Sequence, residues 1–303
     1  MKSIILVPYV ASEAGFDRPY GEARFLYEQY FSDAEEKQII GDGLEGRLYV
    51  KDQLGLYIIG EGKTNASMYT TALLNSKEFD FSETKFILFG CCGCARDVGV
   101  VGDIYLVAET IDYELGHHAD VRDAEGETEH TWYPNESLSR YGHVNLNSNF
   151  FNSAWELIKE EKASSTQWAK DYMSKSFANE DWAVRDPEIM KVASVTADSY
   201  WKGDHDHQNA KYVVDYYKCK HPFAAADMED IAVAQVFSNY KMLDKFLILR
   251  FAVNTDVFMI EQSPETMWKD GGSYDLTGFD SFNEAFEVIT KRATEIVSKI
   301  ISI

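Results

Sequence analysis

The chain predicts an α/β protein, a three-layer α/β/α sandwich on a mixed central sheet. Three observations carry this. Strand-like and helix-like stretches alternate along the 303 residues. Runs such as 85–89 and 246–253 are almost continuously apolar, the pattern of strands covered on both faces. Residues 282–301 repeat apolar positions at helical spacing and predict a long closing helix. With 45% hydrophobic residues, the chain can bury a sizeable core. The reading is one domain over 1–303, with a polar surface excursion at about 112–147.

In order, 3–8 reads as a buried first strand rather than a signal peptide, because its apolar run is short and charged residues follow. A loop carrying Glu13, Arg18 and Arg24 comes next. Residues 46–50 and 55–60 predict a hairpin around Asp52 and Gln53. Gly60-Glu61-Gly62 then turns into a helix over 65–75. Strand 85–89 leads into GCCGCARDVGVVGD, read as a glycine turn in which Cys91 and Gly93 sit where an anion would be cradled. Residues 104–108 form a strand. Residues 150–159, 167–177 and 205–217 read as helices, and 191–196 as a strand before Tyr200 and Trp201. After strand 224–226, Asp227 predicts an N-cap with Asp230 as its capping partner. The stripe Met228, Ala232, Val236, Tyr240 is predicted to face the sheet. Arg250 alone interrupts the apolar run 246–253.

The net charge of −21 disfavours nucleic acid and anionic membranes as partners. No apolar run reaches the ~18–20 residues of a membrane span, and the expected location is the cytoplasm. Cys91, Cys92, Cys94 and Cys219 lack the paired spacing of a zinc site. His117, His118, His205 and His207 supply no complete ligand set, and the run 204–207 reads as the start of an exposed helix. The expectation is therefore no metal and no cofactor. Neither G-x-S-x-G nor H-E-x-x-H is present.

Ligands of open α/β sheets sit beyond the carboxyl ends of the strands. Glu13, Glu61, the turn at 90–93, Tyr200, Trp201, Glu229 and Asp256 fall at such ends. Glu229, in the first turn of a helix, is expected to be held ionised by the helix dipole. An ionised carboxylate accepts from a vicinal diol such as ribose. The aromatic pair offers a platform for a planar base. Asp256 is a candidate general acid.

These residues carry a resemblance. Asp227-Met228-Glu229-Asp230, followed by Ala232, resembles the M-E-x-x-A motif of the nucleoside phosphorylase/nucleosidase superfamily. Asn254-Thr255-Asp256 is similar to its Ser-Asp, and Gly60 to Ala66 to its G-x-G-x-x-x-A turn. Residues 195–201 resemble its S-A-D-x-F-Y segment. A nearer likeness, over about 3–260, is to the purine nucleoside permease branch, carried by GEGKTNASMYTTALL (60–74), FDFSETKFILFG (79–90), YGHVNLN (141–147) and DSYWKG (198–203). The resemblance implies an oligomeric enzyme that cleaves the N-glycosidic bond of a purine nucleoside. It assigns Glu229, with Met228, to the ribose hydroxyls, and Asp256, with Thr255, to the purine. Tyr200 and Trp201 take the base, Glu61 the sugar, and Glu13 the position of a water-activating acid. Phosphorolysis, with inorganic phosphate as co-substrate, is the first expectation. Hydrolysis and non-catalytic nucleoside binding linked to uptake are the alternatives. Leu88 stands where bacterial phosphorylases have an arginine, and Cys91 where they have a serine.

Overall fold

The computed structural model describes residues 1–8, 21–41, 44–119, 131–177, 180–199, 201–257 and 279–303. Strand β1 is Ser3–Val7. Short helical turns over 21–31 follow, then β2 (Glu35–Gly41), β3 (Leu44–Lys51) and β4 (Leu54–Ile58). Helix α1 (Gly62–Leu74), β5 (Lys85–Cys94) and β6 (Ile104–Asp112) come next. Within the polar excursion lie β7 (Gly116–His118), β8 (Trp132–Pro134) and β9 (His143–Asn145). Helices α2 (Asn149–Ile158) and α3 (Gln167–Ser176) lead to β10 (Ile189–Thr196), α4 (Asp204–Tyr216) and β11 (Phe223–Asp227). The chain closes with α5 (Asp230–Asn239), β12 (Phe246–Thr255) and α6 (Phe279–Ile300).

The main sheet runs β11-β10-β6-β12-β5-β1-β4-β3-β2, with β9 paired to β6. It is mixed, as predicted: β12 is parallel to β5 and antiparallel to β6. Helices α1 and α5 pack together on one face, while α6 lies on β12 beside α2 and α3. The predicted hairpin forms with Lys51 opposite Leu54, and Asp52 takes a left-handed φ of 54° at its tip. Strand β2 and the turns over 21–31 were not predicted.

Three expectations are corrected. Residues 90–93 are not a turn, because β5 runs on to Cys94. Its first half pairs with β1 and its last two residues pair antiparallel with β11, Ala225 opposite Cys94. That contact closes β5, β12, β6, β10 and β11 into a ring. Pairing satisfies the backbone groups that a free turn would have offered to an anion. Second, the predicted stripe holds only in its middle: Ala232 and Val236 are buried, together with Asp230, Ile231, Val233, Ala234 and Phe237, whereas Met228 is half-buried and Tyr240 is exposed. Third, the excursion is partly built into the fold, since β9 pairs with β6 and β7 pairs with β8.

Burial of the apolar runs holds the sheet together. Ile4 to Leu6, Phe86 to Phe89, Ile104 to Ala108 and Phe246 to Leu249 are all fully buried. Phe237 fastens α5 to the sheet, its ring 4.3 Å from that of Phe246 and 4.9 Å from that of Phe86. Phe237→Ala removes both contacts and leaves a cavity, and is expected to cost about 3–5 kcal/mol in urea unfolding.

Candidate functional site

The site is built around one cation. Arg250 lies on β12 directly opposite Gly90 of β5 and is 1% exposed. Its Nε donates to Asp230 Oδ1 at 2.8 Å and its Nη2 to Glu229 Oε2 at 2.9 Å. Nη1 donates to the Cys91 carbonyl at 3.1 Å, and Asp227 Oδ1 stands 3.7 Å away. Gly90 makes the approach possible: a Cβ there would lie 2.6 Å from Arg250 Nη1 and 2.5 Å from Glu22 Oε2. Four buried carboxylates, from Glu22, Asp227, Glu229 and Asp230, thus face one guanidinium.

Local structure aims each of them. The backbone of Glu229, rather than Asp227, is the N-cap of α5. Asp227 still supplies the capping carboxylate, its Oδ1 accepting from the N–H of Glu229 (3.0 Å) and of Asp230 (2.8 Å), and from Thr196 Oγ1 (3.0 Å). Asp230 does not reach back to the backbone but turns to Arg250. Glu229 Oε1 accepts from the Gly62 N–H at 2.9 Å. Gly62 has φ +80°, and a Cβ there would come within 3.0 Å of Asp198 Oδ1, so the Gly60-Glu61-Gly62 turn needs glycine at this position. The Lys63 N–H donates to Asp198 at 2.6 Å, and its ammonium bridges Asp112 (2.9 Å) and Glu114 (2.6 Å). Glu61 is exposed at the head of α1, near enough to Glu229 to share its field.

The carboxyl of Glu229 is raised above its ordinary range by burial, with Arg250 opposing. The helix-dipole expectation of a readily ionised group is corrected: loss of solvent outweighs a partial charge at a helix end. Glu22 is pushed up to about 7 by burial, against Arg250. Its Oε1 accepts from Cys91 Sγ at 2.7 Å, and its Oε2 is buried without a hydrogen-bond partner. Burial and Glu22 hold the Cys91 thiol well above its ordinary value.

Just past the end of β12, a second group forms. Asp256 is 3% exposed. Its Oδ1 accepts from the Arg96 N–H at 2.9 Å and its Oδ2 lies 2.7 Å from His207 Nδ1. The helix starts at Asp204 with Asp204 and His205 exposed, as expected, but His207 is buried and its Nε2 has no partner. Lys202 is buried beside Asp256 and Cys94, with Nζ unpartnered and its ammonium lowered to about 8 by burial. Trp201 stacks on Tyr113 at 5.4 Å, with Phe223 behind it.

Among the sequence-predicted residues, the structure brings Glu229, Glu61, Cys91, Gly93, Trp201 and Asp256 to the ends of β5, β11 and β12. Met228 is half-buried in the same turn. The Thr255 hydroxyl donates to the Val257 carbonyl at 3.0 Å, so it serves the backbone. Glu13 and Tyr200 lie outside the described residues. Glu22, His207 and Lys202 were missed. Arg250 carried a signal, as the sole charge in an apolar strand.

A family profile described as purine nucleoside permease (NUP) matches residues 15–303. The chain belongs to the purine nucleoside permease family. A probable purine nucleoside permease of Schizosaccharomyces pombe is 27% identical over 161 residues, 48% of this chain and 46% of that protein. The match thus spans less than half the length of that relative. Among solved structures, the 5′-methylthioadenosine/S-adenosylhomocysteine nucleosidase of S. pneumoniae, bound to a transition-state inhibitor, superposes with a TM-score of 0.58 at 15% identity, over 99% of this chain and 98% of that one. The nucleosidase of Colwellia psychrerythraea 34H with adenine also gives 0.58, at 17% identity, over 100% and 95%. These likenesses show the nucleosidase fold. No helix among the described residues is long and apolar enough to cross a membrane.

Two outcomes test the electrostatics. Arg250→Met leaves buried acids unpaired and is expected to cost about 3–5 kcal/mol in chemical denaturation. Glu22 is protonated more readily folded than unfolded, so its ionisation opposes folding. Stability is expected to fall as pH rises from about 4.5 to about 7. Glu22→Gln should flatten that slope in urea titrations across the same range, and an unchanged slope would assign it to other groups.

Proposed function

We propose that this family member hydrolyses the N-glycosidic bond of a purine nucleoside. Glu229, fixed by the Gly62 N–H and Arg250, takes the ribose hydroxyls with its remaining lone pairs. Glu22 Oε2 accepts a proton from a water that attacks the anomeric carbon. The glycosidic electron pair passes to the base, which departs against Trp201. There Asp256 and the neighbouring Lys202 ammonium relieve its charge. The sugar passes through an oxocarbenium-like state.

The observation that supports this reading best is the excess of carboxylate over guanidinium around Glu22, Asp227, Glu229 and Asp230. Such a lining gives positive charge developing on the sugar acceptor oxygens to face, and its guanidinium is already engaged rather than held for a phosphate dianion. Arg250 is spent on Glu229, Asp230 and the Cys91 carbonyl, and Cys91 faces an acid rather than an anion. Water therefore displaces phosphate as the preferred nucleophile in this proposal. The oligomer implied by the resemblance and the cytoplasmic setting expected from the sequence fit it equally.

The family's name favours a second reading, nucleoside binding linked to uptake without turnover. Incubation with inosine and adenosine, with and without phosphate, followed by chromatography of the bases, separates the readings. Release of base independent of phosphate is expected. Release that requires phosphate would restore phosphorolysis, and calorimetric binding without release would support the uptake reading. Glu22→Gln is expected to lower kcat by about 10²–10⁴-fold, with the wild-type rate falling below about pH 7 as the base is protonated.

A further inference from the structure

A second cluster, sharing no residue with the proposed nucleoside site, lies where β6, β9 and the turn between α4 and β11 meet. Glu109 on β6, His143 on β9 and Cys219 in the turn each offer one ligand atom, and these atoms all lie within 4.8 Å of one another. We infer that Glu109, His143 and Cys219 form a binding site for a zinc-like divalent metal ion. The inference is independent of the nucleoside reading.

The two oxygens of Glu109 are used differently. Oε2 accepts from the N–H groups of Lys220 (2.9 Å) and His221 (3.2 Å) and lies 3.0 Å from His221 Nδ1. The turn after α4 therefore wraps the carboxylate and fixes its direction, as outer-shell donors do around metal-bound carboxylates. Oε1 has no comparable partner; it faces His143 Nε2 at 3.6 Å. That nitrogen is buried and makes no hydrogen bond, at a distance too long for one to Glu109. The His143 ring is held by stacking on Tyr217, with centroids 5.5 Å apart. Cys219 completes the set as a half-buried free thiol in the same turn.

Nitrogen, thiolate and carboxylate together are a zinc set, and tetrahedral bonds of about 2.0–2.3 Å place ligand atoms about 3.5 Å apart. Glu109 and His143 already stand at that spacing. Binding converts the Cys219 thiol to a zinc thiolate, its proton passing to solvent. The fourth position is left to water or to a shift of His221. A cation here pins β9 and the turn before β11 to β6, and the chain's acidic charge favours its entry. This departs from the expectation of no metal, because the ligands come from positions 109, 143 and 219.

The test is Zn²⁺ titration of chelator-treated full-length protein, read by metal analysis and calorimetry, with Co²⁺ as the optical probe. One Zn²⁺ per chain is expected. Cys219→Ser and His143→Ala should each weaken binding by more than about a hundredfold, since even outer-shell losses cost about 10–100-fold. His117→Ala, on exposed β7, should leave affinity unchanged. Co²⁺-loaded wild type should show a thiolate-to-metal charge-transfer band that Cys219→Ser abolishes. Sub-stoichiometric uptake, equal affinity in Cys219→Ser and wild type, or Co²⁺ binding without the thiolate band would each overturn the site and leave an ordinary histidine–carboxylate pair. The Co²⁺ spectrum needs only the wild-type protein, so a variant that fails to fold does not remove the test.

Discussion

The site depends on a guanidinium buried inside a sheet. Arg250 sits in a strand whose neighbours are fully apolar, and taking such a charge out of water costs several kcal/mol. Asp230, Glu229 and the Cys91 carbonyl offset this with near-ideal hydrogen bonds. The offset works in both directions. Without Arg250 the acids would be buried and unpaired, and without the acids the arginine would be. Two strands and the start of α5 are thereby locked to one point, and Glu22 ties the turns over 21–31 beside it through the Cys91 thiol.

That lock explains the state of the buried acids. Glu229 cannot swing away, because one oxygen is held by Arg250 and the other by Gly62. Glu22 is close enough to feel the guanidinium but is not hydrogen-bonded to it, so burial dominates and its carboxyl rises to about 7. One environment thus keeps one carboxylate fixed and leaves another poised to exchange a proton, the division of labour on which the proposed hydrolysis relies.

The fold was largely legible in the sequence. Fully buried strands have no solvent face, so β5, β6 and β12 announce themselves as apolar runs. The amphipathic α6 does so by its period. The hairpin at Asp52 was likewise readable from local chemistry. Local pattern failed where pairing is non-local. GCCG looks like a turn in isolation, and it is a strand because β12 and β11 accept its backbone groups on either side. Residues 204–207 look solvated, yet His207 is drawn in by Asp256, which lies 49 positions away.

By itself, the sequence determined the layered α/β class and the family motifs, because these are written in short contiguous patterns; the joint role of Glu229 and Asp256 is an expectation of the resemblance. Tertiary structure alone decided which acid is poised. Glu22 had no motif of its own, and its properties come from Gly90, Cys91 and Arg250, which only sheet pairing brings beside it. It likewise gathered Glu109, His143 and Cys219 from three separate segments. The physical reason is common to both. Desolvation and charge coupling depend on distance through space, and those distances are fixed by the register between strands rather than by spacing along the chain.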